Sequence, residues 1–77
     1  MNKVRRNQIE EILVKLADIQ NDIECISEDE QESFDNLPES LQYSERGDNM
    51  QEAIDNLEYA VSSLEEVIDY LTESQGC

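Results

Sequence analysis

Histidine and tryptophan are absent from this chain of 77 residues, which has only two glycines, one proline and two cysteines. Without histidine, the chain lacks the commonest metal ligand and the usual general base. Cys25 and Cys77 are too few for a disulfide framework. The longest apolar run, Ile12–Val14, is far shorter than the ~20 residues of a membrane-spanning helix. These absences disfavour a disulfide-rich secreted protein and a membrane protein.

Basic residues are also scarce, because five Lys and Arg face 20 Asp and Glu and the net charge is −15. All but two of the acidic residues follow Lys15, and Arg46 is the only base in that part of the chain. Such a surface repels nucleic acid and anionic membranes and attracts basic protein surfaces. No apolar stretch of signal-peptide length follows the basic start. We therefore expect a cytoplasmic protein that binds neither nucleic acid nor membrane directly.

Two segments show the hydrophobic period of an amphipathic helix, with apolar residues separated by steps of three and four. The pattern predicts helices at about residues 3–35 and 45–74. The first stripe consists of Ile9, Ile12, Leu16, Ile19, Ile23 and Ile26. The second consists of Met50, Ile54, Leu57, Val61, Leu64, Ile68 and Leu71.

The connection at residues 36–44 contains Pro38, which disfavours helical geometry at Leu37. Either Ser44 or Asp48 could cap the start of the second helix. Ser27–Glu30 resembles a capping box inside the first helix. The first helix therefore either bends there or runs through, and we favour a continuous helix.

This order of elements predicts a single all-α domain over residues 1–77, an antiparallel hairpin of two helices. Ala53, Ala60 and Val67 each precede a stripe residue of the second helix and make its apolar surface wider than one partner helix can cover. Two hairpins packed together would cover this extra surface. We therefore predict a homodimer that forms a four-helix bundle.

The outer faces of both helices carry rows of acids opposite the apolar stripes. Any acidic amphipathic helix shows such rows, but repulsion between them costs stability, and tyrosine is favoured at interfaces. The rows are therefore interpreted either as a solvated face or, in the functional hypothesis, as a surface that binds a basic protein. Its candidate residues are Asp18, Asp22, Asp29, Glu32, Asp48, Glu52, Asp55, Tyr59, Glu66, Asp69 and Tyr70.

The connection concentrates apolar and aromatic side chains beside a base, at Leu41, Tyr43 and Arg46. The simplest interpretation is that it closes the end of the hairpin. The alternative is a recognition tip or, across a dimer, a pocket in which Arg46 holds a small anion.

Catalytic and metal sites are not expected. A catalytic carboxyl group needs a pocket that shifts its pKa, and two helices enclose none. No segment has the ligand spacing of an EF-hand, and the Glu-x-x-His motif of di-iron bundles requires a histidine. We expect neither enzymatic activity nor a cofactor.

The stretch 34–47, which reads FDNLPESLQYSERG, followed by AIDNLE at 53–58, resembles short acidic proteins of phages and prophages of Gram-positive bacteria. The likeness covers nearly the whole chain. It implies a phage context and a helical hairpin, within an infected or lysogenic bacterium. It supplies no activity and no site residues.

Three functional hypotheses follow. The first is an inhibitor of host defence or nucleic-acid machinery, a DNA mimic or anti-CRISPR-like protein, which binds a basic surface of a host protein. The second is a sponge that sequesters a small anionic nucleotide signal. The third is a structural or assembly helper of the phage particle.

Overall fold

The computed structural model describes residues 1–76, which form α1 (Lys3–Asp35), the single turn α2 (Glu39–Gln42) and α3 (Glu45–Gln75), with no strand in that range. Cys77 lies outside the described residues. Helices α1 and α3 pack against each other along their length. The Nε2 atom of Gln75 reaches the carbonyl oxygen of Arg6 at 3.3 Å, so the end of the chain lies beside its start. The predicted all-α hairpin is confirmed.

Local capping sets where the helices begin. The side chain of Asn2 accepts a hydrogen bond of 2.9 Å from the backbone N–H of Arg5. The hydroxyl of Ser44 accepts one of 3.4 Å from the N–H of Gly47, so Ser44 is the N-cap of α3 and Asp48 lies in its first turn. Helix α1 is continuous through Ser27–Glu30. The capping-box pattern therefore does not start a helix.

The two long helices meet along what we call the seam, a line of residues at alternating steps of four and three. In α1 these half-buried residues are Ile9, Leu13, Leu16, Gln20, Ile23, Ser27, Glu30 and Phe34. In α3 the seam residues are Met50, Ile54, Leu57, Val61, Leu64, Ile68, Leu71 and Gln75. Among the described residues, Ile54 is the one buried apolar side chain, at 1% exposure. The hairpin therefore has a seam without an enclosed core.

Only part of the apolar stripe predicted for α1 lies in the seam. Ile12, Ile19 and Ile26 are 45%, 46% and 56% exposed. Half of the stripe predicted for α1 is therefore uncovered in the single hairpin, as expected for two amphipathic helices that pack only against each other. Two helices in contact share only two rows of side chains each, so a wider apolar stripe cannot be covered by one partner. Helix α1 is rotated about its axis so that Gln20 and Ser27 enter the seam.

Candidate partner-binding surfaces

The hairpin has two broad faces, one on each side of the seam. A shallow groove of about 310 Å³ on the first face is lined by both helices, at Glu24, Ser27, Glu28, Glu58, Val61 and Ser62. A depression on the second face is lined by Glu30, Glu45, Arg46, Asn49, Met50 and Ala53. In an antiparallel pair, equivalent heptad positions of the two helices lie on the same side of the seam. The groove follows this rule, because Glu24, Ser27 and Glu28 of α1 are equivalent to Glu58, Val61 and Ser62 of α3.

The first face, which we call the acidic face, combines carboxylates from both helices. Its residues are Glu10, Glu24, Glu28, Asp48, Asp55, Glu58, Glu65 and Asp69. Two amide side chains tie it across the seam. Gln20 Nε2 donates to Glu65 Oε1 at 3.2 Å, and Gln75 Nε2 donates to Glu10 Oε1 at 2.8 Å. These bonds hold the carboxylates of Glu10 and Glu65 in place beside the seam, although both side chains remain exposed.

The second face, which we call the apolar face, consists of Ile12, Ile19, Ile26, Ala53, Ala60 and Val67. Each row repeats every seven residues. Val67 is 43% exposed, comparable to the three isoleucines, and Ala60 is half-buried. The charged residues alongside these rows are Arg5, Lys15, Asp22, Asp29 and Arg46, together with Glu30 and Glu45 in the depression near the closed end. Bases and acids are therefore close to balance here, in contrast to the rest of the chain.

The predicted outer-face residues are all exposed, but they divide into three groups. Asp48, Asp55 and Asp69 belong to the acidic face. Asp22, Asp29 and Tyr70 lie at the edges of the apolar face. The remaining residues point directly away from the seam, on opposite outer sides of the hairpin: Asp18 and Glu32 on α1, and Glu52, Tyr59 and Glu66 on α3. The structure does not bring these outermost rows of α1 and α3 together.

The acids that do lie near each other were missed by the outer-face pattern. Glu24, Glu28 and Glu58 line the groove, and Glu65 accepts from Gln20 across the seam. Glu24, Glu58 and Glu65 each directly follow a seam position. Such positions flank the contact in paired helices and often carry charge. Their place one residue after a seam position was the signal in the sequence that could have identified these acids.

The connection forms the closed end of the hairpin. Tyr43 is 81% exposed and Leu41 is 39% exposed, while the half-buried Gln42 turns inward. Arg46 lines the depression together with Glu30 and Glu45. Two carboxylates beside the guanidinium disfavour an anionic ligand at Arg46 of the single chain. The described residues contain no group of three or more acidic or cysteine side chains arranged to hold a metal ion.

The fold and these faces define the chain as an acidic αα-hairpin with one charged and one apolar broad side. No protein family, curated protein or solved structure matches the chain. Neither long helix has an apolar stretch sufficient to cross a bilayer, within the described residues.

Proposed function

We propose that this hairpin is a homodimeric interaction protein whose acidic surface binds a basic, nucleic-acid-binding surface of another protein and blocks it. The observation that carries the proposal is the acidic face, where carboxylates of α1 and α3 lie on the same side of one rigid pair of helices. A single helix presents such acids in one row. The hairpin presents them in two.

The spacing of the acids suits a surface that normally contacts phosphates. Successive turns of a helix place carboxylates about 5.4 Å apart along the axis. Each DNA strand carries a negative charge about every 3.4 Å of axial rise. Where acids occupy successive turns, as at Glu24 and Glu28 or at Glu65 and Asp69, a basic groove that accommodates DNA would therefore meet negative charges at a similar spacing. The binding would be salt-sensitive, because screening weakens interactions between exposed charges.

The wider context of the proposal comes from the resemblance to phage proteins. A phage protein of this kind would act in the bacterial cytoplasm as an inhibitor of host defence or nucleic-acid machinery. The proposal assigns the chain no catalytic activity and no cofactor. It includes the homodimer, in which two hairpins form a four-helix bundle and leave both acidic faces outward.

In the experiment, the immobilised chain captures partners from a bacterial lysate. The affinity of the chain for the purified partner is then measured. The proposal predicts that the partner is a DNA-binding protein and that duplex DNA competes with the chain for it. The affinity should fall at least tenfold between about 50 and 300 mM NaCl. An affinity that does not change with salt, or a partner that binds DNA and the chain at once, would contradict the proposal.

Matched variants locate the binding surface. The test variant carries Glu24→Gln, Glu28→Gln and Glu58→Gln in the groove. The control carries Glu11→Gln, Glu32→Gln and Glu39→Gln, which remove the same charge from exposed positions outside the acidic face. Loss of binding in the test variant alone places the partner on the acidic face. Equal loss in both would show that only the total charge matters.

A further inference from the structure

The single hairpin exposes more surface than a folded chain of this size usually does. The accessible surface is 5772 Å², whereas a compact monomer of 8.9 kDa has about 4,800 Å². The Cα atoms extend over 58 × 15 × 12 Å. The area of a face of that length and width is close to the ~800 Å² that each partner buries in a standard protein interface. One face can therefore supply a whole interface.

Charge restricts which molecule can cover this face. Two copies of a chain with net charge −15 repel each other, so they can approach closely only where carboxylates are few. The acidic face and the outward rows do not meet this condition. The middle of the apolar face does, because Ile12, Ile19 and Ile26 are flanked by Lys15 as well as by Asp22 and Asp29.

The positions of these residues also indicate an orientation. A two-fold interface pairs a residue i with j and j with i. When two α1 helices lie antiparallel and Ile19 is nearest the axis, Ile12 meets Ile26 of the second copy. On the row of α1 next to these isoleucines, Lys15 meets Asp22 of the second copy. The two-fold symmetry makes this pair occur twice. The basic start of α1, with Lys3, Arg5 and Arg6, then lies towards the acidic closed end of the other hairpin.

We propose that the apolar face is a two-fold interface with a second copy of this chain, centred on Ile19. The closed ends of the two hairpins point in opposite directions, and Lys15 of each copy pairs with Asp22 of the other. This inference rests on the homodimer of the proposed function and assigns its surface, its orientation and a specific ion pair. Gln20 bonds Glu65 across the seam, so Val67 of α3 lies nearly level with Ile19 and meets its counterpart near the axis.

The first test compares two exposed apolar residues of α1 by sedimentation equilibrium. Ile19→Asp introduces a charge at the centre of the apolar face, and Val14→Asp, at a position 63% exposed on the opposite side of the seam, is the control. The inference predicts a dimer for wild type and Val14→Asp, and at least a hundredfold weaker dimer for Ile19→Asp with unchanged helix content by circular dichroism. A dimer that survives Ile19→Asp overturns the assigned face.

The second test concerns the orientation. Asp22→Lys places two lysines against each other and should weaken the dimer about tenfold relative to Asp18→Lys, which changes the net charge equally on an outward row. Lys15→Asp should also weaken the dimer. The double variant Lys15→Asp/Asp22→Lys keeps the wild-type net charge and should restore the affinity. Failure to restore it overturns the pairing and favours hairpins with closed ends together.

The outcomes separate the inference from the proposed function. A wild-type chain that is monomeric at micromolar concentration overturns the inference and the homodimer, whereas salt-sensitive capture of a DNA-binding protein would still support binding by the acidic face. Loss of partner binding in the Gln variants of the acidic face, with the dimer intact, would support both assignments at once. A dimer accompanied by no such binding would overturn the proposed function alone.

Discussion

Gly47 lies against the backbone of Gln42 so closely that a Cβ atom at Gly47 would be 2.1 Å from the Gln42 carbonyl oxygen and 2.7 Å from that of Leu41. Gly47 is buried in the first turn of α3, and its N–H donates to the hydroxyl of Ser44. The absence of a side chain therefore lets the turn α2 pack directly onto the start of α3. The role of this glycine is thus a close approach of two backbone segments.

Gly47→Ala should destabilise the hairpin. Alanine favours the helix by about 1 kcal/mol over glycine, but here its methyl group would overlap two backbone carbonyls that cannot move independently. We expect the free energy of unfolding to fall by about 1–3 kcal/mol, the usual range for overpacking. Urea denaturation followed by circular dichroism measures it. Gly76→Ala is the control, because a Cβ there meets its nearest neighbour, the Glu73 carbonyl oxygen, at 3.4 Å.

Gln20→Leu should stabilise the hairpin. Gln20 is half-buried in the seam, and its Nε2 donates to an exposed side chain, that of Glu65, at 3.2 Å. Burial of a leucine there gains about 25 cal/mol for each Å² of apolar surface removed from water, while a solvent-exposed hydrogen bond contributes only about 0.5–1.5 kcal/mol. We expect a net gain of about 1 kcal/mol in urea denaturation. The neighbouring exposed Asn21 provides the control Asn21→Leu, and equal effects of both would contradict the assignment of Gln20 to the seam.

The spacing of the apolar residues and the composition sufficed to predict the all-α hairpin, because apolar stripes at steps of three and four have few other ways to be buried. They did not predict how α1 is rotated about its axis. Ile12 and Leu13 are adjacent in sequence and both apolar, so the pattern allows either to face α3. The structure places Leu13 in the seam and leaves Ile12 exposed. That rotation decides which acids share a face, and this is why the groove acids Glu24 and Glu58 were missed.

The closed end separates residues that stabilise the fold from residues available for recognition. Tyr43 is 81% exposed, whereas Phe34 is half-buried in the seam beneath Gln42, whose Nε2 donates to the Phe34 carbonyl at 3.3 Å. Tyr43→Ser should change the free energy of unfolding by less than about 0.5 kcal/mol. Phe34→Ala should lower it by about 2–3 kcal/mol, somewhat less than for a fully buried ring.

These two variants also test the tip as a recognition site. If Tyr43→Ser weakens partner binding without changing the urea midpoint, Tyr43 contributes to the interface directly. A large loss of stability in Tyr43→Ser would instead show that the ring packs against the hairpin, in contradiction to its exposure.

Added salt should stabilise this chain. Carboxylates four residues apart on the same helix lie one turn from each other, as in the pairs Asp18–Asp22, Glu24–Glu28 and Glu65–Asp69. Each like-charged pair costs about 0.2–0.5 kcal/mol, and salt screens the repulsion. Urea is the suitable denaturant because it is uncharged. The urea midpoint should rise steadily between about 20 and 500 mM NaCl, as the screening length shortens to a few ångströms.

Dimer formation would also raise the urea midpoint with salt, because salt screens the repulsion between copies. The measurement therefore needs a variant that remains a single hairpin. Ile19→Asp serves this purpose, and its midpoint should still rise with salt when measured at two protein concentrations. Glu24→Gln combined with Glu65→Gln removes one carboxylate from each of two pairs, so this variant should be more stable than wild type at low salt and should gain less from added salt. A midpoint that falls with NaCl would mean that attractive ion pairs outweigh repulsion among the acids.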